Sequence, residues 1–305
     1  MRKLIRIISI CFYFFSYLSI SVYASSQKED SLKTQKLIDS ILLKTQYTHG
    51  EIVLPGGLAK MNVPQEFGYL NPDQAKFVLE KVWQNPPSEK GLGMLFPSDL
   101  TPISSGTWGI EITYSEDGHV KDDDASEIKY DELLKQIQEA MQKENPERVK
   151  QGYSTMDMVG WAEQPSYDKN THKLYWAKEL KIGSDSIHTL NYNVRILGRK
   201  GVLVLNAIAL KPQLTEVKNE MQKVIGFVNF EKGNRYEDFD SKTDKVAEYG
   251  IAALILGGVA AKAGLFKIIL GALVAGWKFI VMGVAALGGF LTKLFKRKKD
   301  DSGVN

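Results

Sequence analysis

Four carboxylates and a histidine stand within nine residues at Asp117–Ala125, "DGHVKDDDA". Such a cluster has the donors to hold a divalent cation or to activate a water, with Asp122, Asp123, Asp124 and His119 as the candidate ligands. The spacing does not make a calcium loop: counted from Asp117, the fifth position is Lys121, the sixth is Asp122 where glycine is needed, and the twelfth is Ile128. A plainer reading covers most of the cluster. Asp117-Gly118 is a turn signal at the end of the strand-like "WGIEITYS", and Asp122–Asp124 lie just ahead of a helical pattern that begins near Tyr130. Carboxylates there cap free N–H groups and meet the positive end of the helix dipole. The expectation is a capping cluster, with no metal or cofactor assigned.

Other chemistry is absent from the motifs. The histidines His49, His119, His172 and His188 sit at no metal-ligand spacing. There is no G-x-S-x-G elbow, Walker loop or dinucleotide fingerprint. No catalytic residue is identified and an enzyme is not the favoured reading. Arg199 and Lys200, in the tight connection "GRKG" at 198–201, are candidate contacts for a partner or for anionic headgroups.

Three helices and a group of strands must position these residues. Asn71-Pro72-Asp73 supplies a cap, a first-turn proline and a first-turn acid ahead of Ala75, Val78, Leu79, Val82 and Trp83 at helical spacing. Leu133, Leu134, Ile137, Ala140 and Met141 give a second helix, expected to stop at Pro146. Leu214, Val217, Met221, Val224 and Ile225 give a third, opening after Pro212. Leu174, Trp176, Lys178, Leu180 and Ile182 alternate along one strand, and His188, Leu190, Tyr192, Val194 and Ile196 along the next. "VLVLNAIAL" is apolar on both faces, as a central strand is. Trp108–Tyr114 reads as a further strand, and "GWAEQPSYD" as core and loop packing around a proline. The expected fold class is α+β, an antiparallel sheet with packed helices. By element order alone it resembles small photosystem-associated and nuclear-import-factor-like sandwiches.

The ends of the 305-residue chain set its location. Residues 1–24 have a basic head, an apolar body and "VYA" at the exit, the order of a secretory signal peptide. The single cysteine, Cys11, falls inside it, so a cleaved chain carries no disulfide, no Cys–zinc site and no thiol nucleophile. Residues 25–48 form a polar lead segment and 49–245 the exported domain. From 246 to 292 the chain is almost wholly apolar. Residues 268–291 make one full span, about 24 residues at ~1.5 Å each against ~30 Å of hydrocarbon. Residues 249–266 are an interfacial helix or a second span. The basic tail 293–305, opening "KLFKRKK", is held in the cytoplasm by the positive-inside tendency. The expected place is the bacterial inner membrane, with the main domain in the periplasm. Lysines and arginines number 39 against 36 acids in the whole chain, but 28 against 34 between the signal and Lys262, so nothing marks a nucleic-acid partner.

The strings "DGHVKDDDA", "MVGWAEQPSYD", "HKLYWAKEL", "LNYNVRILGRKGVLVLN", "GNRYEDFDSKTDKVAEYGIAALILGGVAAKAGLF" and "KLFKRKK" resemble a bacterial family of uncharacterised membrane-anchored proteins, domain of unknown function 2167, over roughly 51–299. The resemblance implies an envelope location and a membrane anchor and brings no catalytic residues. The expected role is a non-enzymatic interaction or structural one in the envelope, with the lipid bilayer and another envelope protein as partners. The alternatives are a membrane-bound hydrolase or metal-dependent enzyme built on Asp122–Asp124 with His119, and a small-ligand or lipid-binding module.

Overall fold

The computed structural model describes residues 32–256. The expected signal 1–24, the span 268–291, the tail 293–305 and most of 249–266 lie outside the described residues. Among those described, no helix is long and apolar enough to cross a membrane. The chain divides after Gln46 into two units. What is described of the first is a helix, α1 (32–44), closed by Thr45, whose hydroxyl donates to the Ile41 carbonyl at 2.8 Å.

The second unit is an α+β fold built on antiparallel strands. β1 (Gly50–Val53), β2 (Ala59–Val63), β3 (Phe67–Leu70), α2 (Pro72–Phe77), β4 (Gly93–Pro97) and β5 (Gly109–Ser115) come first. Then follow α3 (Tyr130–Lys150), β6 (Met156–Asp168), β7 (Lys173–Ile182), β8 (Thr189–Leu197), β9 (Val202–Leu210), α4 (Leu214–Phe227), β10 (Val228–Phe230) and α5 (Ile251–Leu256). Seven strands form one sheet in the order β3-β4-β5-β9-β8-β7-β6, and β1-β2-β10 form a second sheet of three.

Local sequence accounts for much of this. Asn71 accepts hydrogen bonds from the Asp73 and Gln74 amides while the Gln74 side chain accepts from the Asn71 amide, closing a capping box on α2. α4 starts after the turn at Pro212 and buries Val217, Met221, Val224 and Ile225. Two expectations change. Pro146 lies inside α3 and does not stop it. Proline removes a single N–H from the ladder, and the last turns are held from outside: Asn145 accepts from the Met156 amide and Arg148 donates to the Ser154 carbonyl. "GWAEQPSYD" is strand β6, with three register shifts, one of them around Pro165. β6 is an edge strand, where a proline costs no ladder bond and bulges are tolerated.

The seven-stranded sheet is covered on both faces. Leu190, Tyr192, Val194 and Ile196 of β8 join Ile110 and Ile112 of β5 and Leu203 and Leu205 of β9 against α4 and β2. On the opposite face, Leu174, Trp176 and Val202 meet Ile251, Leu254 and Ile255 of α5, and α3 packs Ile137 and Met141 on Leu180 and Ile182. The packed layer thus runs past residue 245, where the exported domain was expected to end.

Candidate functional site

The acidic stretch is spent on structure, in a way different from that expected. Its three aspartates precede a 3-10 turn, Ala125–Glu127, and α3 opens at Lys129 without a side-chain cap. Asp124 instead caps α5, accepting from the Ile251 and Ala252 amides at 3.0 and 3.2 Å. Gly250 makes room for this: a Cβ there would sit 2.6 Å from the Asp124 carboxylate. Asp122 accepts from the Tyr167 hydroxyl at 2.9 Å with His172 Nδ1 3.7 Å away, while Asp123 is exposed. His119 is buried between Phe239, stacked at 4.0 Å, and Tyr236 at 4.3 Å, and burial lowers its pKa. Gly118, at φ +112°, brings its turn so close to the 245–247 backbone that a Cβ would lie 2.8 Å from the Lys245 carbonyl oxygen. No group of three or more histidine, cysteine or acidic side chains placed to hold a metal occurs among the described residues.

Arg199 is likewise committed. Its guanidinium makes a two-pronged pair with Asp244 at 2.7 and 3.1 Å and donates to the Gly233 carbonyl at 3.2 Å. The pairing holds the Asp244 carboxyl below the ordinary range. Lys200, beside it, is exposed.

His119 Nδ1 is buried without a partner, and a larger group of buried polar side chains lies on the α5 side of the large sheet. Register sets Glu111 of β5 opposite Asn206 of β9, Asn206 opposite Asn193 of β8, and Asn193 opposite Trp176 of β7. Partners directly across an antiparallel ladder share a face, so these four make a row across the sheet centre. Lys178 opposite Asn191 forms the row beside it, and Arg195, two residues from Asn193, lies in the row on the other side. All are buried: Glu111 and Lys178 are 8% exposed, Arg195 7% and Asn191 1%.

The hydrogen bonds of this cluster run one way. Arg195 donates to Asn193 Oδ1 at 3.4 Å, Asn193 Nδ2 to Asn191 Oδ1 at 2.9 Å, and Asn191 Nδ2 to Asn206 Oδ1. Asn206 closes the chain on the Glu111 carboxylate. A guanidinium at one end and a carboxylate at the other polarise the amides between them. Burial pushes the Glu111 carboxyl up to about 7, and the bond from Asn206 and the charge of Arg195 only partly offset it. Arg195 also lies over the Trp176 ring at 4.8 Å. Burial brings its guanidinium down to about 10, and the same burial, with Arg195 nearby, brings the Lys178 ammonium down to about 7.

Two groups in the cluster have no partner. Trp176 Nε1 is buried without an acceptor. Lys178 makes no hydrogen bond or ion pair among the described residues. The Thr189 hydroxyl, on the same face of β8, is also buried and unpartnered. Such orphans are rare in a packed interior because each costs about 1–3 kcal/mol, more when charged.

Sequence reasoning overlooked this site. The signal was in "LNYNVRIL", whose polar positions alternate with apolar ones as if facing water, and in Asn206, the single polar residue of the otherwise apolar "VLVLNAIAL". What exposed the site is that all six polar side chains share one covered face.

The family described as "Protein of unknown function (DUF2167)" matches residues 46–288, and the chain belongs to that family. No curated protein matches it. Among solved structures it is similar to cyanobacterial PsbP (CyanoP) from Synechocystis sp. PCC 6803, at 8% identity over 59% of this chain and 91% of that one, TM-score 0.34. It is also similar to the Saccharomyces cerevisiae Ran-binding protein Mog1p, at 12% identity over 60% and 96%, TM-score 0.31. A third is LpqN, involved in cell envelope biogenesis of Mycobacterium tuberculosis, at 11% identity over 63% and 96%, TM-score 0.30. Likeness at this level carries nothing about binding or activity.

Proposed function

We propose that this DUF2167 chain is a membrane-anchored envelope protein whose exported domain is a binding module, taking a small ligand at the polar cluster between the large sheet and α5. One observation carries the reading: a buried, hydrogen-bonded row of polar side chains that leaves the Lys178 side chain and the Trp176 indole N–H without acceptors among the described residues. A protein that gained nothing from this face would fill it with apolar side chains, at lower cost than burying an unpaired cation. A hydrolase centred on the acidic stretch loses its support, because Asp122 and Asp124 are bound to Tyr167 and α5 and His119 is stacked between rings. An Arg199-mediated partner contact loses it likewise to the pair with Asp244. The anchor and the envelope location rest on the composition of 1–24 and 268–291.

The test is native mass spectrometry of the full chain released from uncharged detergent micelles. The expected result is a small molecule retained by the wild type and lost in Lys178→Met. A wild-type chain that never retains one, under conditions gentle enough to keep detergent adducts, overturns the reading.

A further inference from the structure

We infer that the ligand presents an oxyanion, a carboxylate or a phosphate, to Lys178, Arg195 and the Trp176 indole N–H. The inference rests on the binding reading and adds to it the class of ligand.

Bond direction is the first argument. Every side-chain amide oxygen in the cluster is already an acceptor: Asn193 takes a bond from Arg195, Asn191 from Asn193, and Asn206 from Asn191. Glu111 is bonded to Asn206. The unfilled groups on β7 are the Trp176 N–H, a donor only, and the Lys178 side chain, which in its charged form has donors and no acceptor. A ligand that completes the site must therefore bring acceptors.

Charge is the second. Lys178 and Arg195 face one carboxylate, Glu111, which stands three strands away from Trp176 in the row. Strands lie about 4.8 Å apart, so that carboxylate is roughly 14 Å from the β7 end of the cluster and cannot pair with the ammonium there. At the β7–β8 end neither Lys178 nor Arg195 makes an ion pair among the described residues, and of the two only Arg195 feels the charge of Glu111. An oxyanion seated there forms charge-assisted hydrogen bonds, which are shorter and about twice as strong as neutral ones. A guanidinium over the Trp176 ring, with an ammonium and an indole N–H on the same covered face of β7, suits a carboxylate or a phosphate equally; a free metabolite and a lipid headgroup are the two sources.

The experiment uses the full chain in micelles of an uncharged detergent and follows thermal unfolding at constant ionic strength. One arm titrates inorganic phosphate or acetate against chloride; the other replaces part of the detergent with phosphatidic acid, using phosphatidylcholine as the control. Saturable stabilisation is expected in at least one arm, with apparent affinity at least about tenfold lower in Lys178→Met. Trp176→Phe, which keeps the ring and deletes the donor, is expected to weaken it less. The exposed Lys200→Met is expected to leave it unchanged. Stabilisation by the free anions identifies a soluble ligand, and stabilisation by phosphatidic acid alone identifies a headgroup. No saturable stabilisation in either arm, or stabilisation that is equal in Lys178→Met, overturns the inference. If a neutral molecule is nonetheless retained in the native mass spectra, the binding reading stands and only the oxyanion class falls.

Discussion

Glu111 is a carboxyl held where water cannot help it ionise, and this gives a pH dependence of known sign. Its native pKa is about 7 against an ordinary 4.5. Between those values the folded chain keeps a proton that the unfolded chain has released, so stability falls as pH rises through the window. Glu111→Gln removes the slope. Its unfolding midpoint should match the wild type near pH 4.5 and exceed it increasingly toward pH 7.5, by an amount that approaches roughly 3 kcal/mol in free energy. A constant offset across that range, in parallel thermal melts, would contradict the assignment. Lys178 has the opposite slope, because its pKa is depressed from 10.5 to about 7: its contribution improves as pH rises above 7. None of this was legible from either residue alone. A glutamate in "GIEIT" and a lysine in "WAKEL" look like the solvent-facing members of alternating strands until a helix is seen to cover that face.

At the scale of elements, the start of α5 depends on a cap supplied from far away in the sequence, Asp124. Asp124→Ala should destabilise the domain by about 1 kcal/mol, the usual cost of losing an N-cap. Amide exchange should quicken at Ile251 and Ala252 with little change at the start of α3. Exchange that quickens in α3 instead would restore the local capping expected from sequence. Carboxylates in a row announce that helix N-termini are near, but a donor is chosen in space, and Ile251 lies far down the chain from Asp124. The helices with periodic apolar faces were legible for the converse reason, since Val217, Met221 and Val224 need only their own spacing to declare one buried side. β6 was obscured by Gly160 and Pro165, residues that break a central strand and pass at an edge. β1, β2 and β10, three to five residues each, were too short to show alternation.

For the whole molecule, covering and connectivity set the order of local stability. β8 is buried at every position, and β9 beside it at most. Hydrogen exchange on the full chain should be slowest in these two strands and faster in the shifted edge β6 and in the small sheet β1-β2-β10. Uniform protection across both sheets would show instead that the chain opens only globally. The proposed topology has its own check. In a Cys11→Ser background, a single cysteine at Ser302 should be labelled only after the membrane is permeabilised; labelling from outside intact cells would reverse the tail. The α+β class was readable because β7, β8 and β9 are consecutive hairpin neighbours, while the place of β5 was not, since its partner β9 follows only after α3 and three further strands.

That separation governs time as well as shape. Glu111 finds Asn206 only when roughly 95 further residues have been synthesised, which at ~5–20 residues per second takes some five to twenty seconds. Through that interval the edge of β5 that β9 will cover is open. The strand that completes the sheet is also the one that brings Asn206 to Glu111, so the chain closes its fold and its buried hydrogen-bond chain in the same step.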